Sequence, residues 1–333
     1  SVRRAEEGWL FESPSAQVVP LVVADLVRVE GEGCEVWLPA PRRVEGEAIA
    51  RDLALVLRTL EGRFGPLPDG PFRLVIGDGA APSYCGGSFA VITRFPKSRP
   101  AWIAHLAHEC AHRWFGHTLM TPVIGRGGTW LREGLAEWAG IEAAGEILGA
   151  PAADALWRDR FSRYVSGMDL RRGPEGLFAN EPTLLDATYL DDALVPYLRG
   201  ALVLRLLAKE EGFREKLRGL MRGGPGGILG AAEILKTTGG EALAAYYAGT
   251  TRLPDLRIEA DGNVARIFCD DPLWPNGLVA VRIETASGAR VVEVDVSKGK
   301  GELPLPDGAV RVEVDPERLW LDPVRSNGLL EKK

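Results

Sequence analysis

At 333 residues the chain has room for two or three domains. A net charge of −6 with no basic run argues against nucleic acid or an acidic membrane surface as a partner. No apolar run approaches the ~18–20 residues of a membrane span, and the four cysteines are scattered, with no C-x-x-C pair to suggest a disulfide framework. The chain begins at Ser1 rather than methionine, which leaves an upstream signal or anchor open, so neither compartment nor oligomeric state is read from it.

In chain order, β-rich runs come first, at 18–29 and 35–38. Ile49, Leu53, Val56, Leu57, Leu60 and Phe64 then mark a helix, which Gly65-Pro66 closes. Residues 72–76 and 88–94 read as strands, so that residues of about 40–95 form a small α+β lobe. Ser98 and Pro100 supply a cap and a first-turn proline for the next helix. Its apolar stripe is Ile103, Leu106, Ala107, Cys110, Ala111 and Trp114, and Gly116 is the expected stop. The opposite face carries His105, His108, Glu109 and His112.

All four histidines of the chain lie between His105 and His117, and His108-Glu109-Cys110-Ala111-His112 has the pattern H-E-x-x-H. On a helix this places two imidazoles one turn apart, where both reach a single tetrahedral Zn²⁺ at ~2.0–2.1 Å. A catalytic zinc takes a third protein ligand and keeps one position open. The stretch Thr129-Trp130-Leu131-Arg132-Glu133-Gly134-Leu135-Ala136-Glu137-Trp138 offers Glu133 and Glu137, again four apart on one helix face.

Here the chain resembles the aminopeptidase N type of gluzincin zinc metallopeptidases, in which H-E-x-x-H is followed by W-x-x-E-G. The resemblance implies His108, His112 and Glu133 as ligands of one zinc ion per chain, with Glu109 as the catalytic base. Twenty residues separate His112 from Glu133, two more than is usual in that family, and the surplus falls in the loop Gly125-Arg126-Gly127-Gly128. Glu137 has two open readings: a carboxylate accepting the free ring N–H of a ligating histidine, or a solvated helix charge. His105 is a possible neighbour of the substrate, and His117 a loop bystander.

Further along, Tyr197-Leu198-Arg199-Gly200 opens an apolar helix after Pro196. It is similar to a Tyr-x-Lys-Gly element of the family, whose tyrosine supports the developing oxyanion, which implies that role for Tyr197. The family also anchors a substrate's free amine with a glutamate in a Gly-x-Met-Glu-Asn edge strand. The corresponding segment here is Tyr84-Cys85-Gly86-Gly87-Ser88-Phe89-Ala90-Val91-Ile92-Thr93, which implies substrate contact at Gly86, Gly87 and Ser88 but contains no glutamate. Between Gly70 and His108 the only acid is Asp78, so another group such as Glu142 or Asp169 would have to serve.

Residues 100–250 are predominantly helical in pattern. From residue 256 the pattern alternates, with a hairpin signal at Asp261-Gly262 and further strands at 279–284, 290–296 and 309–314. The expected class is α+β: residues 1–40 as the remnant of an N-terminal β domain, 41–252 as a thermolysin-like catalytic domain with a small mixed lobe and a mainly helical lobe, and 253–325 as an immunoglobulin-like β-sandwich. Three functions stay open: a zinc aminopeptidase with altered recognition of the N-terminus, a zinc hydrolase of internal bonds, and a zinc-holding binding or scaffold protein. The first two take a peptide as partner.

Overall fold

The computed structural model describes residues 2–5, 8–11, 25–66, 71–77, 83–86, 89–119, 128–169, 194–222, 229, 231–238, 255–270, 277–319 and 328–331. It is a mixed α+β structure. Strands β1 (Val2–Ala5) and β2 (Gly8–Phe11) pair with each other in an antiparallel ladder.

Next in the chain is a five-stranded sheet, built from β3 (Leu26–Gly31), β4 (Cys34–Pro39), β5 (Phe72–Ile76), β6 (Tyr84–Cys85) and β7 (Phe89–Ile92) in the order β3-β4-β5-β7-β6. The ladders β4–β5 and β5–β7 are parallel, while β3–β4 and β6–β7 are antiparallel. A parallel pair needs a crossover connection, and helix α1 (Arg43–Phe64) supplies it between β4 and β5. Every second residue of these strands faces the core: Cys34, Val36 and Leu38, then Phe72, Leu74 and Ile76, then Ala90 and Ile92. The stripe from Ile49 to Phe64 on α1 is buried as its spacing predicts. The helix begins earlier than that stripe, at Arg43, because Gly46 lets its first turn press onto the sheet. A Cβ there would lie 2.9 Å from Val29 Cγ2. Residues 26–39 are thus hydrogen-bonded into the same sheet as residues 72–92 and lead directly into the turn and helix that begin at residue 40.

The helical part comprises α2 (Arg99–Ala111), α3 (Gly128–Leu148), α4 (Ala150–Asp169), a π-helical turn (Leu194–Arg199) running into α5 (Gly200–Leu207), then α6 (Phe213–Arg222) and α7 (Ala231–Thr238). Phe64 of α1 meets Phe115 edge-on at 4.9 Å and Trp138 of α3 at 6.1 Å, which joins the small lobe to the helices through aromatic packing. Among the described residues, no helix is long and apolar enough to cross a membrane.

Two antiparallel sheets close the chain. One has the order β12-β9-β8 and the other β11-β10-β13-β14, from β8 (Leu256–Asp261), β9 (Val264–Cys269), β10 (Leu278–Thr285), β11 (Gly288–Asp295), β12 (Lys300–Pro304), β13 (Ala309–Val314) and β14 (Leu329–Glu331). Alternate residues of both sheets are buried, among them Leu256, Ile267, Val281, Ile283 and Val312. The hairpin expected near Asp261-Gly262 turns one residue later. Asp261 pairs with Val264, and Gly262, at φ 61°, takes the first turn position. Arg205 of α5 donates to the Glu317 carbonyl at 2.9 Å and Lys209 pairs with the Glu317 carboxylate at 3.0 Å, which ties these sheets to the helices.

Candidate metal centre

Helix α2 starts as its sequence directs. Ser98 Oγ accepts from Ala101 N at 3.4 Å, with the proline in the first turn. It ends at Ala111, earlier than the apolar stripe suggests, and His112 sits at the C-cap with φ −58° and ψ −20°. The N–H groups of Arg113 and Trp114 reach carbonyls three residues back, tightening the last turn, and Gly116 at φ 120° redirects the chain. The polar face of α2 is also covered: His108 and Glu109 are each 5% exposed, because α3 packs over them.

The ligand atoms converge. His108 Nε2 lies 3.2 Å from His112 Nε2, and Glu133 Oε2 lies 3.6 Å and 3.3 Å from the two nitrogens. Two ligands bound at ~2.0–2.1 Å to a tetrahedral ion stand ~3.3 Å apart, so this His-His-Glu triangle is the size that a zinc ion fills. Each ring is held by its other nitrogen. His112 Nδ1 donates to the Phe115 carbonyl at 3.2 Å, and His108 Nδ1 lies 3.0 Å from Glu137 Oε2, off the axis of a well-aligned hydrogen bond. Both contacts leave Nε2 facing Glu133.

Charge reinforces the geometry. Burial would lower the His108 imidazole, but the Glu133 and Glu137 carboxylates outweigh it and raise it to about 10. Burial would raise Glu133, yet His112 and His108 hold it well below the usual carboxylate range. Glu109, outside the triangle, is pushed up by burial, the direction that makes a carboxylate a better base.

Three glycines bring these groups together. A Cβ on Gly140 would stand 2.5 Å from the Ala104 carbonyl and 3.1 Å from His108 N, so only glycine lets α3 lie this close to α2. Gly134, next to Glu133, would place a Cβ 2.9 Å from the Gly200 carbonyl carbon, and Gly200 in turn lies against Trp130. The glycines of W-x-x-E-G and Y-x-R-G therefore touch, and their contact sets Tyr197 beside the triangle. The Tyr197 ring stacks on His108 at 5.9 Å and 15°, and burial together with the Glu133 carboxylate raises its phenol.

Other expected residues are placed less centrally. His105 Nε2 lies 3.1 Å from Ser83 Oγ, and burial and His108 lower its imidazole to about 4. His117 Nε2 is 3.4 Å from the Cys85 carbonyl, which ties it to β6. Gly86 N–H donates to Phe89 O at 2.8 Å in the β6–β7 turn, while Gly87 and Ser88 lie outside the described residues. Glu142 is engaged by Arg63 and Arg214, and the side chain of Asp169 lies outside the described residues. Sequence reasoning missed Arg160 of α4, which grips Glu137. No spacing to the motifs marks it, since α4 reaches Glu137 only through tertiary packing. It missed Gly140 as well, for which the only cue is a glycine inside a helix.

The fold is one seen in a solved aminopeptidase. The crystal structure of Legionella pneumophila aminopeptidase A in complex with aspartic acid matches with a TM-score of 0.63 and 14% sequence identity. The match covers 90% of this chain and 37% of that one, so the chain spans well under half the length of that enzyme. No protein-family model and no curated protein sequence matches the chain.

Proposed function

We propose that the chain is a zinc metallopeptidase of gluzincin type that hydrolyses peptide bonds. The observation carrying this reading is the buried triangle of His108, His112 and Glu133 with Glu109 beside it. A zinc ion held there supplies Lewis acidity to a water and to the scissile carbonyl. Glu109 takes the proton of the attacking water and later delivers it to the leaving amine. Tyr197 donates its hydroxyl to the tetrahedral oxyanion, and Glu137 orients His108 through the ring nitrogen that faces away from the triangle. On this reading residues 41–252 are a thermolysin-like domain, joined by the sheet strands ahead of residue 40, and the two C-terminal sheets are an immunoglobulin-like sandwich. Gly86, Gly87 and Ser88 border the substrate.

Aminopeptidase action is the first form of this activity, in keeping with the shared fold. The absence of a glutamate between Gly70 and His108, and the engagement of Glu142 by two arginines, favour a second form that cuts internal or N-blocked bonds. Bound zinc, and hydrolysis of free and N-blocked peptide amides by wild type and Glu109→Gln, test both. The expected result is one zinc per chain and a loss of roughly 10²–10⁴-fold in the variant. Cleavage of free peptides only identifies the exopeptidase, and equal cleavage of blocked ones the second form. Full zinc without hydrolysis leaves a zinc-holding scaffold.

A further inference from the structure

Glu109 and Glu133 are buried, and the Glu137 side chain, 12% exposed, lies in the same cluster. Arg132 lies 3.4 Å from Glu133 Oε1 and is 23% exposed in its side chain, so water shares its charge. Arg160 stands elsewhere. Its side chain is 14% exposed, its Nε is hydrogen-bonded to Glu137 Oε1, and its Nη1 is held by Asp159 Oδ2 at 2.7 Å. Asp159 is braced from its other side by Arg163 at 3.0 Å. One carboxylate oxygen of Glu137 thus faces Arg160 while the other faces His108 Nδ1.

We propose that Arg160 is a positioning residue for the metal centre, acting through Glu137 to hold that carboxylate aimed at His108. The inference rests on the metallopeptidase reading of the triangle. The Glu137 side chain is only 12% exposed, so little water competes with Arg160 for its Oε1. Were Arg160 absent, the carboxylate would be free to swing toward water, and His108 would lose the group that fixes its ring. Removing such an outer partner typically weakens metal affinity by 10–100-fold. Asp159 and Arg163 keep the guanidinium from following another anion, so the line Arg163–Asp159–Arg160–Glu137–His108 runs from the surface of α4 to the triangle.

The test is a double-mutant cycle on zinc affinity, read by competition with a chromogenic chelator, together with the visible spectrum of the Co²⁺-loaded protein. Wild type, Arg160→Met, Arg160→Lys, Glu137→Gln and the Arg160→Met/Glu137→Gln pair are compared. Arg160→Met is expected to weaken zinc binding roughly 10–100-fold and to alter the Co²⁺ bands. Arg160→Lys is expected to restore most of the affinity. The double variant is expected to bind as Glu137→Gln does, because Arg160 acts only through that carboxylate. Losses that add in full, or an Arg160→Met affinity equal to wild type, overturn the inference. A lysine variant that folds like wild type yet binds as weakly as the methionine one also counts against it. A wild type that takes up no zinc instead overturns the metal-site reading itself. A metal-free unfolding curve for each variant separates loss of the site from loss of the fold.

Discussion

The Cys34 thiol is 2% exposed at the start of β4 and donates to the Ala50 carbonyl of α1 at 3.7 Å. Burial, aided by the nearby Glu32 carboxylate, raises it from the usual 9.0 to about 11. Between those values the unfolded chain has released the proton and the folded chain still holds it. Stability therefore declines as pH climbs through that window, by about 2–3 kcal/mol, and is unaffected below it. Urea midpoints of wild type and Cys34→Ala measured on either side of the window check this. The alanine variant is expected to lose most of the slope, and an unchanged slope assigns it to other groups. Single residues differ in how far sequence reveals them. His108 and His112 were legible because one helical spacing points both the same way, while spacing left Glu133 and Glu137 open and only the family resemblance singled out Glu133. The Phe115 carbonyl and Arg160 were not, since a backbone acceptor has no residue type and α4 meets Glu137 only through packing.

Among elements, α2 and α3 owe their separation to Gly140. Gly140→Ala is expected to destabilise the fold by about 1–3 kcal/mol, as overpacking does, and to weaken zinc binding as Glu133 and Glu137 back away from His108. Gly62→Ala on α1 is the control, since a Cβ there meets nothing within 4 Å and helix propensity favours alanine by up to ~1 kcal/mol. Thermal melts and chelator competition on both variants decide the matter. Equal behaviour would show that the helix pair has slack. Helix α1 and strand β5 were readable because burial on one face leaves a period in the sequence. Strand β12 was not: Lys300-Gly301-Glu302-Leu303-Pro304 has little alternation of its own, and its conformation comes from its ladder to β9. Gly301 fits only because it has no side chain, with the Asp295 carbonyl 2.5 Å from where a Cβ would be.

For the whole molecule, a metal that binds the folded chain and not the unfolded one adds about 2.7 kcal/mol at a hundredfold excess over its dissociation constant. For a chain of 333 residues that corresponds to a shift in Tm of roughly 4 °C. Chelation of the zinc-loaded protein is expected to lower Tm by this amount, added zinc to restore it, and Glu133→Gln to remove the response. A Tm indifferent to chelator would show that the triangle and the fold are not coupled. The general α+β division was legible from the change of hydrophobic period near residue 256. Strand order was not, because period two says that a strand exists and not which strand it pairs with. Hence β3 and β4, which read as the end of something earlier, are the flank of the sheet that carries β5 and β7.

The contact between Gly134 and Gly200 has a mechanical consequence. Backbone rests on backbone there, as it does where Gly140 meets α2, with no pliable side chain as a cushion. Helices α2, α3 and α5 behave as the fixed jaw of a vice, in which Glu133 and Tyr197 keep their spacing whatever arrives between them. On the proposed reading, in which the β6–β7 edge borders the substrate, accommodation to differently shaped molecules falls to that edge, which the contacts Ser83–His105 and His117–Cys85 join to the histidine segment. Attempts to reshape what the site accepts are best made there.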